Sequence, residues 1–365
     1  MLQKKTQFGR SPILGRPVLV PDLATTNLHV PFIDRPRQKA ALLFLIEKAV
    51  AERQALILHD NGLVDIRLIR ELAAKHGRES EVVEIHEGHP TGEMTAYDPG
   101  AISYPHPYRF SAIHLHSLRE GRTSDIARGP AWAMMDAVAW YLAGDRLSEG
   151  EVFPSSHVLS ACNEEFIQDV VIERAQSEGR LHSFANAIRA HRELESAQGN
   201  EADDHRRQLD VIRESVGSIG CAAITSGTRN LEQVLKERRI CVIRTNWRSP
   251  ADRLVAADLH QSLQRHYLNG QGVDAEPWQP ATVVVGHTER ICLTDDTPHH
   301  LQISALARHC GISLVMPTSD GSSPKLTRFE NTKPNLSSLE YGSFDSHVLT
   351  WSLMGVRHKK LARIT

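Results

Sequence analysis

LHVPFIDRPRQKAALLFLIEKAV (Leu28–Val50) and ALILHDNGLVDIRLIRELAAKHGRESEVVEI (Ala55–Ile85) decide the fold. Leu28 to Ile33 is a short apolar run with strand character. Ala40 to Val50 is apolar on nearly every face, as in a helix buried on all sides. Ala55 to Leu58 is a second short buried strand, closed by the turn residues Asp60, Asn61 and Gly62. In the stretch Asp65 to Gly77, Ile66, Ile69, Leu72 and Ala73 fall on one helical face, and Gly77 suits the position just past the helix end. Glu81 to Ile85 returns to strand character. Strand, helix, strand, helix, strand at this spacing predicts a parallel sheet with crossover helices.

Downstream, the pattern is helical from about Thr123 to Arg239. Pro130–Leu142, Asn163–Glu178, His182–Glu195, Arg207–Ser215 and Leu231–Lys236 are the helical stretches. Acids outnumber arginines between Glu164 and Glu214, which suits a solvated helical block. The α/β pattern then resumes. Ile240–Arg244 reads as a strand and Ala251–Tyr267 as a helix. Ala281–Val285 is a continuous β-branched run, the mark of a central strand. Leu301–Cys310 reads as a helix, Ile312–Met316 as a strand and Val348–Leu353 as the last strand. The expected organisation is an extended basic arm (1–27), an α/β domain in two pieces (28–122 and 240–355) around an all-α insertion (123–239), and a basic tail (356–365).

The chain has 365 residues, 41% hydrophobic and 24% charged, with a formal charge of −2. That balance is ordinary for a soluble globular protein and excludes a globally basic, polyanion-coating surface. The longest apolar run, Ala40 to Ile46, is too short to cross a bilayer, and no secretory leader is read. Five scattered cysteines, none in a C-x-x-C pair, point to a reducing cytoplasm.

A parallel α/β sheet ordinarily binds phosphate where its first strand meets the following helix. The binding turn needs glycines so that successive N–H groups converge, a lysine, and a hydroxyl for magnesium. Here that stretch is Ile33-Asp34-Arg35-Pro36-Arg37-Gln38-Lys39-Ala40. It has no glycine, Pro36 lacks an N–H, Asp34 places a negative charge where phosphate would sit, and Ala40 replaces the hydroxyl. Only Lys39 keeps its place. A nucleotide-hydrolysing motor also needs acids at the end of a central strand. The candidate strand ends in Gly286-His287, and Glu289 falls two or three residues late.

The order of elements resembles the nucleotide-binding domain of type IV secretion coupling proteins, the conjugative DNA-translocating ATPases related to RecA-like and FtsK-like motors. The resemblance is carried by His29-Val30-Pro31-Phe32 before the apolar helix, by Ala55–Arg78, by Ala96-Tyr97-Asp98-Pro99, and by RRICVIRTNWRSPADRLVAADLHQSL (Arg238–Leu263). It implies a RecA-like, mostly parallel sheet with flanking helices and an all-α insertion. The family's phosphate-loop glycines, its acidic strand end and the glutamine expected near Thr318–Ser319 are missing, as are its N-terminal membrane helices. The resemblance therefore implies a degenerate relative that keeps the fold without hydrolysis and needs no cofactor. Its expected place is the cytoplasm, in contact with secretion or conjugation subunits, an active homologous ATPase or other copies of itself, and peripheral to the inner membrane through those partners.

Other chemistries stay open on the residues. His114 and His116 in SAIHLHS have the i, i+2 spacing that lets one strand face hold a metal, and read as a metal-dependent hydrolase. Lys39 could serve an unorthodox phosphate loop in a working ATPase or DNA-translocation protein. Arg244, Trp247 and Arg248 form an arginine–aromatic cluster after a strand, suited to local nucleic-acid contact. His86-x-x-His89 and His299-His300 read as solvated or core-edge histidines, and Cys310 beside His309 as a buried helix cysteine. There is no G-x-S-x-G elbow for nucleophilic catalysis.

Overall fold

The computed structural model describes residues 5–10, 17–21, 28–30, 34–59, 62–86, 97–98, 102–103, 152–153, 230–246, 249–269, 280–286, 311–317, 337–341, 346–353 and 356–363, with single positions between 177 and 207. Contacts divide the chain into two compact units. One comprises Met1–Glu84, Glu232–Arg244 and Ser262–Thr365; the other comprises Ile85–Leu231 and Thr245–Gln261.

The first unit is organised by a sheet. In chain order its strands are β1 (Lys5–Arg10), β2 (Pro17–Pro21), β3 (Leu28–Val30), β4 (Ala55–His59), β5 (Val82–His86), β8 (Ile240–Arg244), β9 (Ala281–Val285), β10 (Ile312–Pro317), β11 (Ser337–Tyr341), β12 (Ser346–Leu353) and β13 (Val356–Arg363). A separate two-stranded ribbon pairs β6 (Ile102–Ser103) with β7 (Val152–Phe153). The large sheet runs β2-β1-β13-β12-β11-β3-β10-β9-β4-β8-β5. From β11 through β3, β10, β9 and β4 to β8, every neighbouring pair is parallel. From β11 outward through β12, β13, β1 and β2 the pairing is antiparallel.

The helices follow from their sequences. α1 (Arg35–Ala51) begins five residues before the apolar run, because Pro36 lies in the first turn, where a missing N–H costs nothing. Its apolar residues surround the axis, and Ala41, Leu42, Leu45, Ile46, Ala49 and Val50 are buried. α2 (Ile66–Lys75) is amphipathic and is capped by Asp65, whose carboxylate accepts the Arg67 N–H at 3.0 Å. Gly77 adopts φ +66° just beyond its end, the left-handed conformation that glycine takes without strain. α3 (Leu231–Lys236) and α4 (Pro250–Asn269) frame the re-entry strand β8.

Strands β4, β9 and β10 are buried at every position. Register places Leu28, Val315, Val284, Leu58 and Val242 on one face, and these pack with α1 into the main core. The alternate residues Ile57, Cys241, Val283 and Leu314 are equally sheltered. Burial on both faces explains why these strands are continuous apolar runs rather than alternating ones.

Both end segments of the chain contribute strands. The arm 1–27 contains the β1–β2 hairpin, and the stretch read as a basic tail, 356–365, contains β13. Both join the antiparallel side of the sheet. Most of the 123–239 block, read as an all-α insertion, lies outside the described residues.

A buried arginine closes the amino end of the parallel strands. Arg78 is 1% exposed. Its Nε donates to Glu81 Oε2 at 2.7 Å, its Nη1 to the carbonyls of Val50 and Gln54 at 3.3 and 2.9 Å, and its Nη2 to the Arg238 carbonyl. One guanidinium thus joins the end of α1, the start of β4 and the turn into β8. Beside it, Gln54 Oε1 accepts the Thr282 hydroxyl at 2.8 Å, tying β4 to β9.

Candidate functional site

The carboxyl end of the parallel strands is where ligands bind in open sheets of this kind, at the point where the chain's connections leave in opposite directions. Here β3 occupies that point: the chain passes from it through α1 to β4, across β10 and β9, while β11 lies on its other side. The turn from β3 into α1 is the place for an anion, because the first amides of a helix point outward and carry partial positive charge.

Among the described residues of this turn, the first turn of α1 carries a side-chain cap of its own. Asp34 is the helix cap, with extended backbone at φ −151° and ψ 162°. Its carboxylate accepts the Arg37 N–H at 2.8 Å and pairs with Arg37 Nε at 3.2 Å. Pro36 contributes no N–H. Two first-turn donors are therefore removed, one by chemistry and one by occupation. Gln38 is 2% exposed. Its backbone N–H closes on the Asp34 carbonyl at 3.0 Å, and its side-chain amide donates to the Val30 carbonyl at 3.2 Å. That amide bolts the end of β3 to the first turn of α1. Arg35 is exposed and Lys39 half-buried. The sequence reading singled out Asp34, Arg35, Arg37 and Lys39, and these do share the first turns of one helix. It missed Gln38, whose role shows only once β3 and α1 are placed.

At the end of β9, Val285 and Gly286 are buried, and the Gly286 N–H donates to the His59 carbonyl at 2.7 Å. This bond extends the β4–β9 pairing by one residue beyond the strand. His59, at the end of β4, is 7% exposed and lies on the sheet face away from α1. His287 and Glu289 lie outside the described residues, as do Thr318 and Ser319 beyond β10.

Arg244 ends β8, and its Nη2 donates to the Val64 carbonyl at 3.3 Å, so its guanidinium anchors the loop after β4. Its proposed companions Trp247 and Arg248, and the metal candidates His114 and His116, fall outside the described residues. So do His89, His299, His300, His309 and Cys310. Among the described residues no group of three or more His, Cys, Asp or Glu is placed to hold a metal.

A further polar centre lies among the described residues of the second unit. Asp258 is fully buried, and its Oδ2 accepts the Tyr97 hydroxyl at 2.8 Å and the Leu231 N–H at 3.0 Å. The carboxylate serves as a cap for the start of α3 and a tether for Tyr97. A lone acid following the apolar run Leu254–Ala257 and preceding Leu259 is the sequence signal that could have flagged it.

No protein-family profile matches the chain, and no curated protein matches it in sequence. Solved structures do match in fold. The bacterial conjugative coupling protein TrwB, in its unbound monoclinic form, aligns with a TM-score of 0.54 at 12% identity, over 99% of this chain and 83% of that one. TrwB in complex with the non-hydrolysable GTP analogue GDPNP gives 0.57 at 12% identity, over 99% and 90%. TrwB with ADP and Mg2+ gives the same values. The chain therefore has the RecA-like α/β fold of that coupling protein across nearly its whole length.

Proposed function

We propose that this chain is a non-hydrolysing relative of the conjugative coupling proteins, acting as an adaptor or assembly subunit of a conjugation or type IV secretion machine through protein–protein contacts. The observation that carries the reading is the Asp34 carboxylate seated on the first turn of α1, at the position where this fold would present free amides to a phosphate. A second anion there meets a like charge, and Pro36 and Arg37 offer it no N–H. TrwB has been solved with ADP and Mg2+, so the same fold accommodates nucleotide in that protein. On this reading the residues of the turn, rather than the architecture, set this chain apart. An adaptor of this kind would sit beside secretion or conjugation subunits or an active ATPase of the same fold.

Titration calorimetry with ATP and magnesium, paired with a phosphate-release assay, tests the reading. The expected result is no micromolar binding and no turnover. Micromolar binding accompanied by hydrolysis would overturn it. Lys39→Ala provides the second arm: a working loop built around Lys39 would lose nucleotide affinity on that change.

A further inference from the structure

The parallel strands carry a polar notch on a face that is otherwise apolar. β9 and β10 are buried at every position, yet the second residue of each is a hydroxyl, Thr282 and Ser313. Register sets these two side by side, and their row continues through Leu56 of β4 and Ile240 of β8. Val284 and Val315, two residues further along, pack with α1 in the main core, so Thr282 and Ser313 share that face. Leu45, Lys48 and Ala49 of α1, with Gln54 at the entry to β4 and Val315 of β10, complete the lining of a cavity of about 10 Å3 around them.

That volume suits a single water molecule, which needs about two to four polar partners. The lining supplies them. The Lys48 ammonium has three N–H groups and gives one to Glu52. Gln54 donates an amide N–H to Glu52 Oε2 at 2.6 Å, and its Oε1 accepts the Thr282 hydroxyl at 2.8 Å. Thr282 thus spends its one O–H on Gln54, while its oxygen carries lone pairs for a donor in the cavity. A water accepting from Lys48 and donating to the two hydroxyl oxygens restores the hydration that burial takes from these groups. A cation would meet the Lys48 ammonium, and an anion would meet the Glu52 carboxylate paired with it. A small neutral molecule that both donates and accepts matches the lining.

We propose that this notch binds one structural water, which bridges the Lys48 ammonium of α1 to the Thr282 and Ser313 hydroxyls of β9 and β10. The bridge ties the last turns of α1 to the amino ends of two central strands. It is independent of the nucleotide reading and uses none of the residues at the start of α1.

The test is a high-resolution crystal structure of the full chain beside that of Ser313→Val, with urea unfolding and deuteron relaxation dispersion of both in solution. In the unaltered chain a water is expected within hydrogen-bond reach of Lys48 Nζ and of both hydroxyl oxygens. Ser313→Val fills the notch with methyl groups. It should expel that water, lower the count of long-lived waters in solution, and raise the unfolding equilibrium constant roughly tenfold, because Lys48 and Thr282 lose their shared partner. A notch without a water in the unaltered chain overturns the proposal. So does a halide peak there after a bromide soak, an unchanged count of long-lived waters, or a valine variant more stable than its parent. Should valine at position 313 prevent folding, Lys48→Met takes its place. It removes the donor and leaves both hydroxyls, and should lower the same count of long-lived waters; an unchanged count again overturns the bridge.

Discussion

At the amino end of the parallel strands, Arg78 gives its guanidinium to three backbone carbonyls and a glutamate, and Gln54 locks to Thr282. At the carboxyl end, Asp34 gives its carboxylate to a helix amide and a neighbouring arginine, and Gln38 ties the strand to the helix. The first network is buried and structural by position. The second sits where open α/β sheets hold their ligands, yet its bonds are of the same structural kind. On the function proposed above, the ligand end of this sheet serves as a joint. Stability should accordingly be concentrated at the Arg78 end and decline toward Asp34.

The steepest test of that contrast is Arg78→Met. It strands Glu81 and the carbonyls of Val50, Gln54 and Arg238, and should cost about 3–5 kcal/mol in urea unfolding. A loss below about 1 kcal/mol would mean the clamp is dispensable.

Two intermediate changes sharpen the comparison by removing one buried side-chain bond at each end. Thr282→Val and Gln38→Leu should each cost about 1–3 kcal/mol, since each leaves a sheltered acceptor behind. Equal values would show both ends to be tied with similar force at the level of single bonds. A negligible value for Gln38→Leu would free the β3–α1 junction from the structural role given to it here.

Asp34→Ala should cost about 1 kcal/mol, the ordinary worth of a helix cap, with Asp34→Asn keeping most of it. Unchanged stability in the alanine variant would show that the carboxylate is not acting as a cap. Smallest of all is Lys75→Ala. It removes the exposed ion pair with Glu47, formed at 2.6 Å between α2 and α1, and should shift stability by less than about 1 kcal/mol, less still in high salt.

Much of this contrast is legible in the amino-acid sequence, for identifiable reasons. ICVIR and ATVVV are strands to the residue, because short runs rich in β-branched residues suit the interior of a two-sided sheet. Asp34, Pro36 and the missing glycines mark the carboxyl end without any structure. The start of α1 is harder: the apolar run begins only at Ala40, whereas the helix begins at Arg35 with Pro36 harmless in its first turn. β13 is harder still. VRHKKLAR has no apolar run, and its alternation acquires meaning only beside β12, whose register assigns a face to each position. Arg78 follows the helix-ending Gly77, and nothing in the local sequence signals its burial. Its burial arises because two turns distant in sequence, at Arg53 and Arg238, converge on it with left-handed backbones.

The pairing of Arg10 with Arg363 also bears on how the molecule is made. During synthesis the first hairpin leaves the ribosome roughly 350 residues before the strand it must join, a delay of about 20–70 s at ordinary elongation rates. Throughout that interval one edge of β1 is an open template for pairing with other nascent chains. Pro17 and Pro21, at the two ends of β2, blunt the hairpin's other edge during the wait.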